Sequence, residues 1–376
     1  MVGFNRRTVL LGAAAAAACA RPAVYTQAAE QSLQELATAK GVDYGSMVTW
    51  KSWDGDNAIN REDAFVQLVQ RECSIITSGM EMFWSLNSQS AGAMDFGGGD
   101  DIVDWAQKNG KKVRGHTLIW HEQTPKWFRG IGDKAFGEKM LVERVHNMCS
   151  RFAGRMHSWD VANEVIDPNS DRPDGLRQSK YMELIGENYL DTAFRTAREA
   201  DPKALLVLND YNLEKNNDND ERKRQAMLTI IDGFKQRNVP IDAVGIQSHM
   251  TVKDRGSFDQ SVFANFLKEI SDRGLQVMLT EMDVVDVGAP SDIPARDAEV
   301  ASVYKDYLDA ALASPAVKTV VTWGLSDRDS WITHYAIDDF RRDDGLPPRP
   351  LPFDADLKPK PAYFAIAEAF KAAPAR

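Results

Sequence analysis

Short apolar runs alternate with longer amphipathic stretches from about residue 40 to the end of the chain, and this alternation is the strongest constraint on the fold. The amphipathic stretches, such as REDAFVQLVQREC and FANFLKEISDRG, carry apolar residues three and four positions apart, which is typical of helices. Eight strands alternating with helices predict a parallel sheet, and the number eight favours a closed (β/α)8 barrel. A doubly wound open sheet is the alternative, but no G-x-G-x-x-G follows the first run. The predicted strands are Val42–Val48, Cys73–Gly79, Lys112–Trp120, His157–Asn163, Ala204–Asn209, Ala243–Ser248, Gln276–Thr280 and Lys318–Leu325.

The N-terminus predicts an export signal, residues 1–28, ahead of a single barrel domain, residues 29–376. Arg6 and Arg7 stand just before an apolar run of 12 residues, Val9 to Ala20, as in twin-arginine signals. The run is too short to span a bilayer, which takes about 20 residues. We therefore expect an exported protein, periplasmic or extracellular, with lipidation at Cys19 as the less favoured outcome.

Charge and cysteine content narrow the possible partners. The formal net charge of −10 at pH 7 argues against nucleic acid or an anionic membrane surface. Cys73 and Cys149, which lie outside the signal, either form a disulfide or are two small buried residues, and the second interpretation is favoured.

Polar side chains follow six of the eight predicted strands. Barrel active sites lie at the carboxyl ends of the strands, so these side chains should meet on one face. Tryptophans stand close to several of them, which predicts a concave cleft with polar and aromatic walls. The polar residues are His116, His121, Asn163, Glu164, Asn209, Gln247, His249, Glu281 and Asp283, and the tryptophans are Trp120, Trp323 and Trp331.

Two glutamates, Glu164 and Glu281, end the fourth and seventh predicted strands. Either one alone could be half of a structural ion pair, with Arg114 or Arg328 as its partner. Together in one cleft they fit the acid and nucleophile of a retaining glycosidase, which requires carboxyls about 5–5.5 Å apart. The apolar neighbours of Glu164 suit a carboxyl that stays protonated, so Glu164 is the predicted acid and Glu281 the predicted nucleophile.

The residues around this pair suit a sugar. His249 could donate a hydrogen bond to Glu281 while Asp283 holds the imidazole, and Asn163 suits the sugar 2-hydroxyl. Flat indole rings pack on the apolar faces of a pyranose. The rival use of the histidines is a catalytic metal, but the first strand lacks an H-x-H pair and His116 and His121 are poorly spaced as joint ligands.

The strand endings together resemble glycoside hydrolase family 10, the barrel endo-β-1,4-xylanases. The resemblance runs from about Glu62 to Ile366 and includes RGHTLIWHEQTPKW, WDVANEVID, LNDYN, GIQSHM, LTEMDV, TWGLSDRDSW and LPFDADLKPKPAYFAI. It implies that Glu164 is the acid/base, Glu281 the nucleophile, and Asp283 the residue that orients His249. It also implies sugar-binding roles for seven residues: His116, Trp120, Asn163, Gln247, His249, Trp323 and Trp331. We add Tyr211, from LNDYN, to the predicted substrate-binding residues.

One segment departs from the family pattern. After the second strand the family usually has Pro-Glu-Asn-x-Met-Lys-Trp, whereas this chain reads SGMEMFW, with Gly79, Met80 and Phe83 at the Glu, Asn and Lys positions. Those positions hold sugars on the non-reducing side of the cleaved bond, so the departure bears on substrate choice and leaves the two glutamates untouched.

The sequence therefore predicts a retaining endo-β-1,4-xylanase that acts as a monomer on xylan-type polysaccharide or oligosaccharide, with no cofactor and no metal. The alternative within the family is a retaining β-glycosidase acting on another β-1,4-glycan or β-glycoside. From other classes, the alternatives are a non-catalytic carbohydrate-binding barrel and a metallohydrolase.

Overall fold

The computed structural model describes residues 31–51, 58–60, 63–170, 172–334 and 340–376. The predicted export signal, residues 1–28, lies outside these ranges.

A closed parallel barrel of eight strands forms the centre of the molecule, as the alternation of apolar and amphipathic segments predicted. The barrel order is β1, β2, β3, β5, β6, β7, β9 and β10, and β10 closes the ring by pairing with both β9 and β1. Two short strands extend it, since β4 pairs with β5 and β8 pairs with β9. The strands are β1 (Asp43–Val48), β2 (Ile75–Ser78), β3 (Lys112–Gly115), β4 (Ile119–Trp120), β5 (Ser158–Asn163), β6 (Leu205–Asp210), β7 (Ala243–Ile246), β8 (His249–Thr251), β9 (Gln276–Val285) and β10 (Val317–Thr322).

Several strand boundaries differ from the prediction. The run Lys112–Trp120 is two strands, β3 and β4, and the run Ala243–Ser248 ends two residues earlier, at Ile246. β9 continues five residues past Thr280, so Glu281 lies within a strand and does not end one. Apolar periodicity shows where a strand is buried but does not show where its backbone pairing stops.

Amphipathic helices surround the barrel. Several begin at an aspartate whose carboxylate accepts hydrogen bonds from the first free N–H groups, as Asp63, Asp133 and Asp292 do. Gly154 and Gly274 follow helix ends in left-handed conformations that favour glycine. The helices are α1 (Leu33–Thr38), α2 (Ala64–Glu72), α3 (Trp84–Asn87), α4 (Gly97–Lys108), α5 (Lys126–Arg129), α6 (Lys134–Arg151), α7 (Lys180–Ile185), α8 (Tyr189–Ala200), α9 (Asp218–Gln236), α10 (Gln260–Asp272), α11 (Ile293–Leu312), α12 (Trp331–His334) and α13 (Pro361–Ala372).

The strands are buried on both faces, because the barrel interior is filled and the helices cover its outside. Close packing is visible between β3 and β5, where a Cβ at Gly115 would lie 2.1 Å from the ring of Trp159. Cys73 and Cys149 are buried and unpaired, in agreement with the favoured interpretation. Within the described parts of the chain, every helix is too short or too polar to cross a membrane.

The long segment after β10 is tied to the barrel at several points. Phe353 pairs with both Ser326 and Pro359, and the guanidinium of Arg342 donates to the backbone oxygen of Asp286. Buried Lys360 forms an ion pair with Asp327 at 2.8 Å. Trp331, at the start of α12, is bound to β9 through the hydrogen bond from its indole N–H to Asp283.

Candidate active site

Three amide side chains connect the two glutamates across the carboxyl end of the barrel. Asn163 ends β5, Asn209 lies in β6, and Gln247 follows β7. Asn209 Nδ2 donates to Glu281 Oε1 and to Asn163 Oδ1, both at 2.8 Å. Gln247 Nε2 lies 3.1 Å from Glu164 Oε1 and 3.3 Å from Asn163 Oδ1. The parallel register places Asn163 beside Asn209, so neighbouring strand ends deliver these side chains to one place.

Glu164 differs from its neighbours in backbone and environment. Its φ of 57° lies in the left-handed region, which costs a residue with a side chain about 1–2 kcal/mol. Its N–H donates to the backbone oxygen of Asn209 at 2.9 Å. Burial raises the pKa of the Glu164 carboxyl, the hydrogen bond from Gln247 opposes that rise, and the negative charges of Asp210 and Glu281 add to it. The net pKa is above the ordinary glutamate value, which suits a proton donor.

Glu281 is surrounded by groups that stabilise a carboxylate. Besides the bond from Asn209, its Oε2 lies 3.5 Å from Nε2 of His249. Nδ1 of that imidazole lies 3.0 Å from Asp283 Oδ1, and Trp331 donates its indole N–H to Asp283 Oδ2 at 2.6 Å. Burial lowers the pKa of His249, but the charges of Asp283 and Glu281 outweigh burial and raise it to about 10. The imidazole is therefore charged at neutral pH and fixed between the two carboxylates.

The opposite wall of the cleft is aromatic. The ring of His116 lies 5.7 Å from that of Phe83 and 5.2 Å from that of Trp323, while Phe83 lies 5.5 Å from Trp120. His116 Nδ1 lies 2.8 Å from a carboxyl oxygen of buried Asp160. Burial lowers the pKa of His116, but Asp160 and the charge of Glu281 raise it above the ordinary value.

Asp160 also forms an ion pair with Arg114, and both side chains are fully buried. Arg114 is therefore the partner of Asp160, and the structural ion pair considered for the glutamates does not involve it.

Tyr211 and His121, two residues that the sequence placed in the cleft, contact other side chains in the structure. The hydroxyl of Tyr211 accepts a hydrogen bond from Arg177 at 3.1 Å, and Lys223 Nζ lies 3.5 Å from the centroid of its ring. His121 lines a small pocket with Glu164 and Arg177, and burial and the charge of Arg177 lower its pKa to about 4.

Three residues that contact Glu164, Glu281 or the neighbours of these glutamates were given no function in the sequence analysis. Asn209, placed in the cleft without a function, binds Glu281 directly. Asp160 could have been recognised from the sequence, because an acidic residue inside an otherwise apolar strand needs a partner. Arg177 lies in a polar loop and has no signal of this kind.

The described residues contain no group of three or more His, Cys, Asp or Glu side chains arranged to hold a metal ion. A filled (β/α)8 barrel with two glutamates, one buried and one half-buried, and with amides and indole rings at its carboxyl face defines the class of barrel glycoside hydrolases. The chain belongs to glycosyl hydrolase family 10, whose sequence model matches residues 32–369.

Comparisons with individual proteins agree with the family. The chain is 33% identical over 319 residues to endo-1,4-beta-xylanase B of Thermotoga neapolitana, covering 84% of this chain and 86% of that protein. It is 30% identical over 343 residues to endo-1,4-beta-xylanase 3 of Hypocrea jecorina, covering 91% and 87%. The crystal structure of xylanase 10B from Thermotoga petrophila in complex with xylobiose superposes with a TM-score of 0.80 at 29% identity, over 92% of this chain and 98% of that one.

Proposed function

We propose that this protein is a retaining endo-β-1,4-xylanase in which Glu164 is the acid/base and Glu281 the nucleophile. In the first step Glu281 attacks the anomeric carbon while Glu164 gives its proton to the departing glycosidic oxygen. The glycosidic bond breaks and an ester between the sugar and Glu281 forms. In the second step Glu164 takes a proton from water, the water oxygen attacks the same carbon, and Glu281 leaves as a carboxylate.

The unequal setting of the two carboxyls is the observation that carries this proposal. Glu164 has a raised pKa and accepts hydrogen bonds from neutral donors, whereas Glu281 faces an imidazolium and the amide of Asn209. A carboxyl that keeps its proton is a donor, and a carboxylate held by two donors is available for attack.

The charge of Glu281 contributes to the ability of Glu164 to serve in both steps. That charge raises the pKa of Glu164 in the free protein. Esterification of Glu281 removes the charge, so the pKa of Glu164 falls and the carboxyl becomes the base that the second step needs.

The remaining contacts suit a pyranose. Asn163 donates to Glu164 and accepts from Asn209, which also binds Glu281, and this place beside the pair suits a bond to the 2-hydroxyl that strengthens in the transition state. Trp323 lies beside His116 and Trp331 beside His249, and indole rings suit the apolar faces of sugar rings. The xylanase names of the two relatives, and the xylobiose bound to the solved structure, support xylan as the substrate.

A second candidate substrate is another β-1,4-glycan whose sugars carry a hydroxymethyl group. The observation that favours it is the apolar surface made by Phe83 beside His116 and Trp120. A Cβ at Gly79 would lie 2.6 Å from Met47 Sδ, so the side chain of Met47 occupies the space that a side chain at Gly79 would need. Glu81 cannot replace the missing polar groups, because its carboxylate accepts bonds from the N–H of Trp50 and the hydroxyl of Ser78.

The test is incubation with xylan, β-glucan and short xylo-oligosaccharides, with products followed by anomer-resolved NMR. The proposal expects xylan to be cut internally, with β-anomers released first. Initial α-anomers would exclude the retaining mechanism.

Aryl β-xylobioside and aryl β-cellobioside then separate the two substrates. A strong preference for the xylobioside with an ordinary KM removes the second candidate. Glu281→Ala distinguishes an enzyme from a binding barrel, since it should abolish turnover and spare ligand binding.

A further inference from the structure

The backbone of Glu164–Ile166 is hydrogen-bonded at all three of its carbonyl oxygens and at the N–H groups of Glu164 and Ile166. Glu164 adopts the left-handed conformation, which a residue with a side chain keeps only where its surroundings impose it. The segment connects β5 to the loop that precedes α7. Because the backbone conformation of Glu164 sets the direction of its Cα–Cβ bond, the direction of the carboxyl depends on it.

Arg177 binds all three carbonyl oxygens of this segment. Its Nε donates to the oxygen of Glu164 at 2.8 Å, its backbone N–H to that of Val165 at 2.7 Å, and its Nη2 to that of Ile166 at 3.3 Å. Its Nη1 lies 3.3 Å from a carboxyl oxygen of Asp167. One planar guanidinium therefore bridges the carbonyl oxygens of Glu164 and Ile166, and the backbone N–H of the same residue binds the carbonyl between them.

The opposite side of the segment is bound by Asp210. Its Oδ2 accepts from the N–H of Ile166 at 3.0 Å, and its Oδ1 accepts from buried Lys223 at 2.6 Å. Arg177 connects to this group as well, because its Nη2 donates to Tyr211, whose ring lies against Lys223. Asp210 and Arg177 thus hold the segment from two sides.

The side chain of Arg177 acts on the backbone of Glu164 and not on its carboxyl. The Glu164 carboxyl oxygen takes its hydrogen bonds from Gln247 and Asn163. Only about a sixth of the Arg177 side chain is exposed, 17%, which agrees with a role inside the loop.

We infer that Arg177 is a positioning residue for the acid: it fixes the left-handed backbone of Glu164 so that the carboxyl points at the glycosidic oxygen. This inference rests on the proposed role of Glu164. Proton donation matters most when the departing group is basic, and little when the departing group is a stable anion such as 2,4-dinitrophenolate. Misplacement of the acid should therefore slow only substrates with basic leaving groups.

The test compares kcat/KM for two β-xylobiosides, one with 2,4-dinitrophenol and one with unsubstituted phenol as leaving group. Arg177→Met should lower kcat/KM for the phenyl substrate at least 30-fold and for the dinitrophenyl substrate less than threefold. Arg177→Lys keeps a cation but cannot bridge two carbonyls. Its kcat/KM for the phenyl substrate should therefore fall by less than that of Arg177→Met, and its kcat/KM for the dinitrophenyl substrate should again be little changed. The matched control is Arg172→Met in the same loop, whose guanidinium binds Asp174 and Glu187, and both substrates should stay within twofold of the unchanged protein.

Equal losses on the two substrates, or no loss in either Arg177 variant, would overturn the inference. Circular dichroism shows whether each variant is folded, and Arg177→Lys decides the question if Arg177→Met does not fold. Glu164→Ala, measured alongside, separates this inference from the function on which it rests. If Glu164→Ala shows the leaving-group selectivity and the Arg177 variants do not, only the inference fails. If Glu164→Ala shows none, the proposed role of Glu164 fails.

Discussion

Asn209→Ala tests how the amides hold the predicted nucleophile. The substitution removes a fully buried side chain that donates to Glu281 and Asn163 and accepts from the hydroxyl of Thr280 at 2.7 Å. Loss of a hydrogen bond to a charged group is worth about 1.5–3 kcal/mol, and about 1.4 kcal/mol is a factor of ten in rate. We expect kcat/KM on aryl β-xylobioside to fall about 10- to 150-fold if the bond to Glu281 acts in the transition state.

The same substitution leaves buried polar atoms without partners, so the free energy of unfolding should fall by about 2–5 kcal/mol. Activity is therefore measured at a temperature where circular dichroism shows a folded protein. The control is Thr280→Val, which removes only the hydroxyl that donates to Asn209 and should lower kcat/KM less than about fivefold. A folded Asn209→Ala variant within twofold of the unchanged protein would refute the role given to this amide.

Three further predictions concern pH, stability and metal. The pKa of Glu164 can be followed by carbon NMR in protein trapped as the 2-fluoroxylosyl ester of Glu281. It should fall below its raised value in the free protein, because the ester removes the charge of Glu281. An unchanged or higher pKa would contradict the electrostatic coupling between the two glutamates. Arg114→Met leaves Asp160 buried without this ion pair and should lower the free energy of unfolding in urea by about 3–5 kcal/mol. Lys112→Met, on the same strand as Arg114, removes only an exposed pair with Asp43 of β1 and should lower the free energy of unfolding by less than about 1 kcal/mol. Dialysis against EDTA should leave hydrolysis of aryl β-xylobioside unchanged, and a loss restored by a divalent cation would favour the metallohydrolase alternative.

The barrel could be predicted because parallel strands covered on both faces leave apolar runs at regular intervals. Polar side chains at the ends of those runs then share one face, since all eight strands point the same way. Glu164, Glu281, His249 and Asp283 were located by this rule, and the structure brings them together.

Contacts that depend on side-chain direction or loop geometry could not be predicted. Arg177 lies in a polar loop, and only the folded loop shows that it binds three consecutive carbonyl oxygens near Glu164. The run Lys112–Trp120 was predicted as one strand, and only the folded backbone shows its division into β3 and β4. Tyr211 was predicted to bind substrate, and in the structure its hydroxyl is bonded to Arg177.

The most direct measurement for the central claim is covalent trapping with 2,4-dinitrophenyl 2-deoxy-2-fluoro-β-xylobioside, followed by mass spectrometry of the digested protein. Fluorine at C2 slows both steps, and the activated leaving group keeps the first fast enough for the ester to accumulate. We expect one fluoroxylobiosyl group per chain, attached to the peptide that contains Glu281, and slow release of the group in water. A label on any other residue, or steady hydrolysis without a covalent adduct, would contradict the assignment of Glu281 as the nucleophile opposite Glu164.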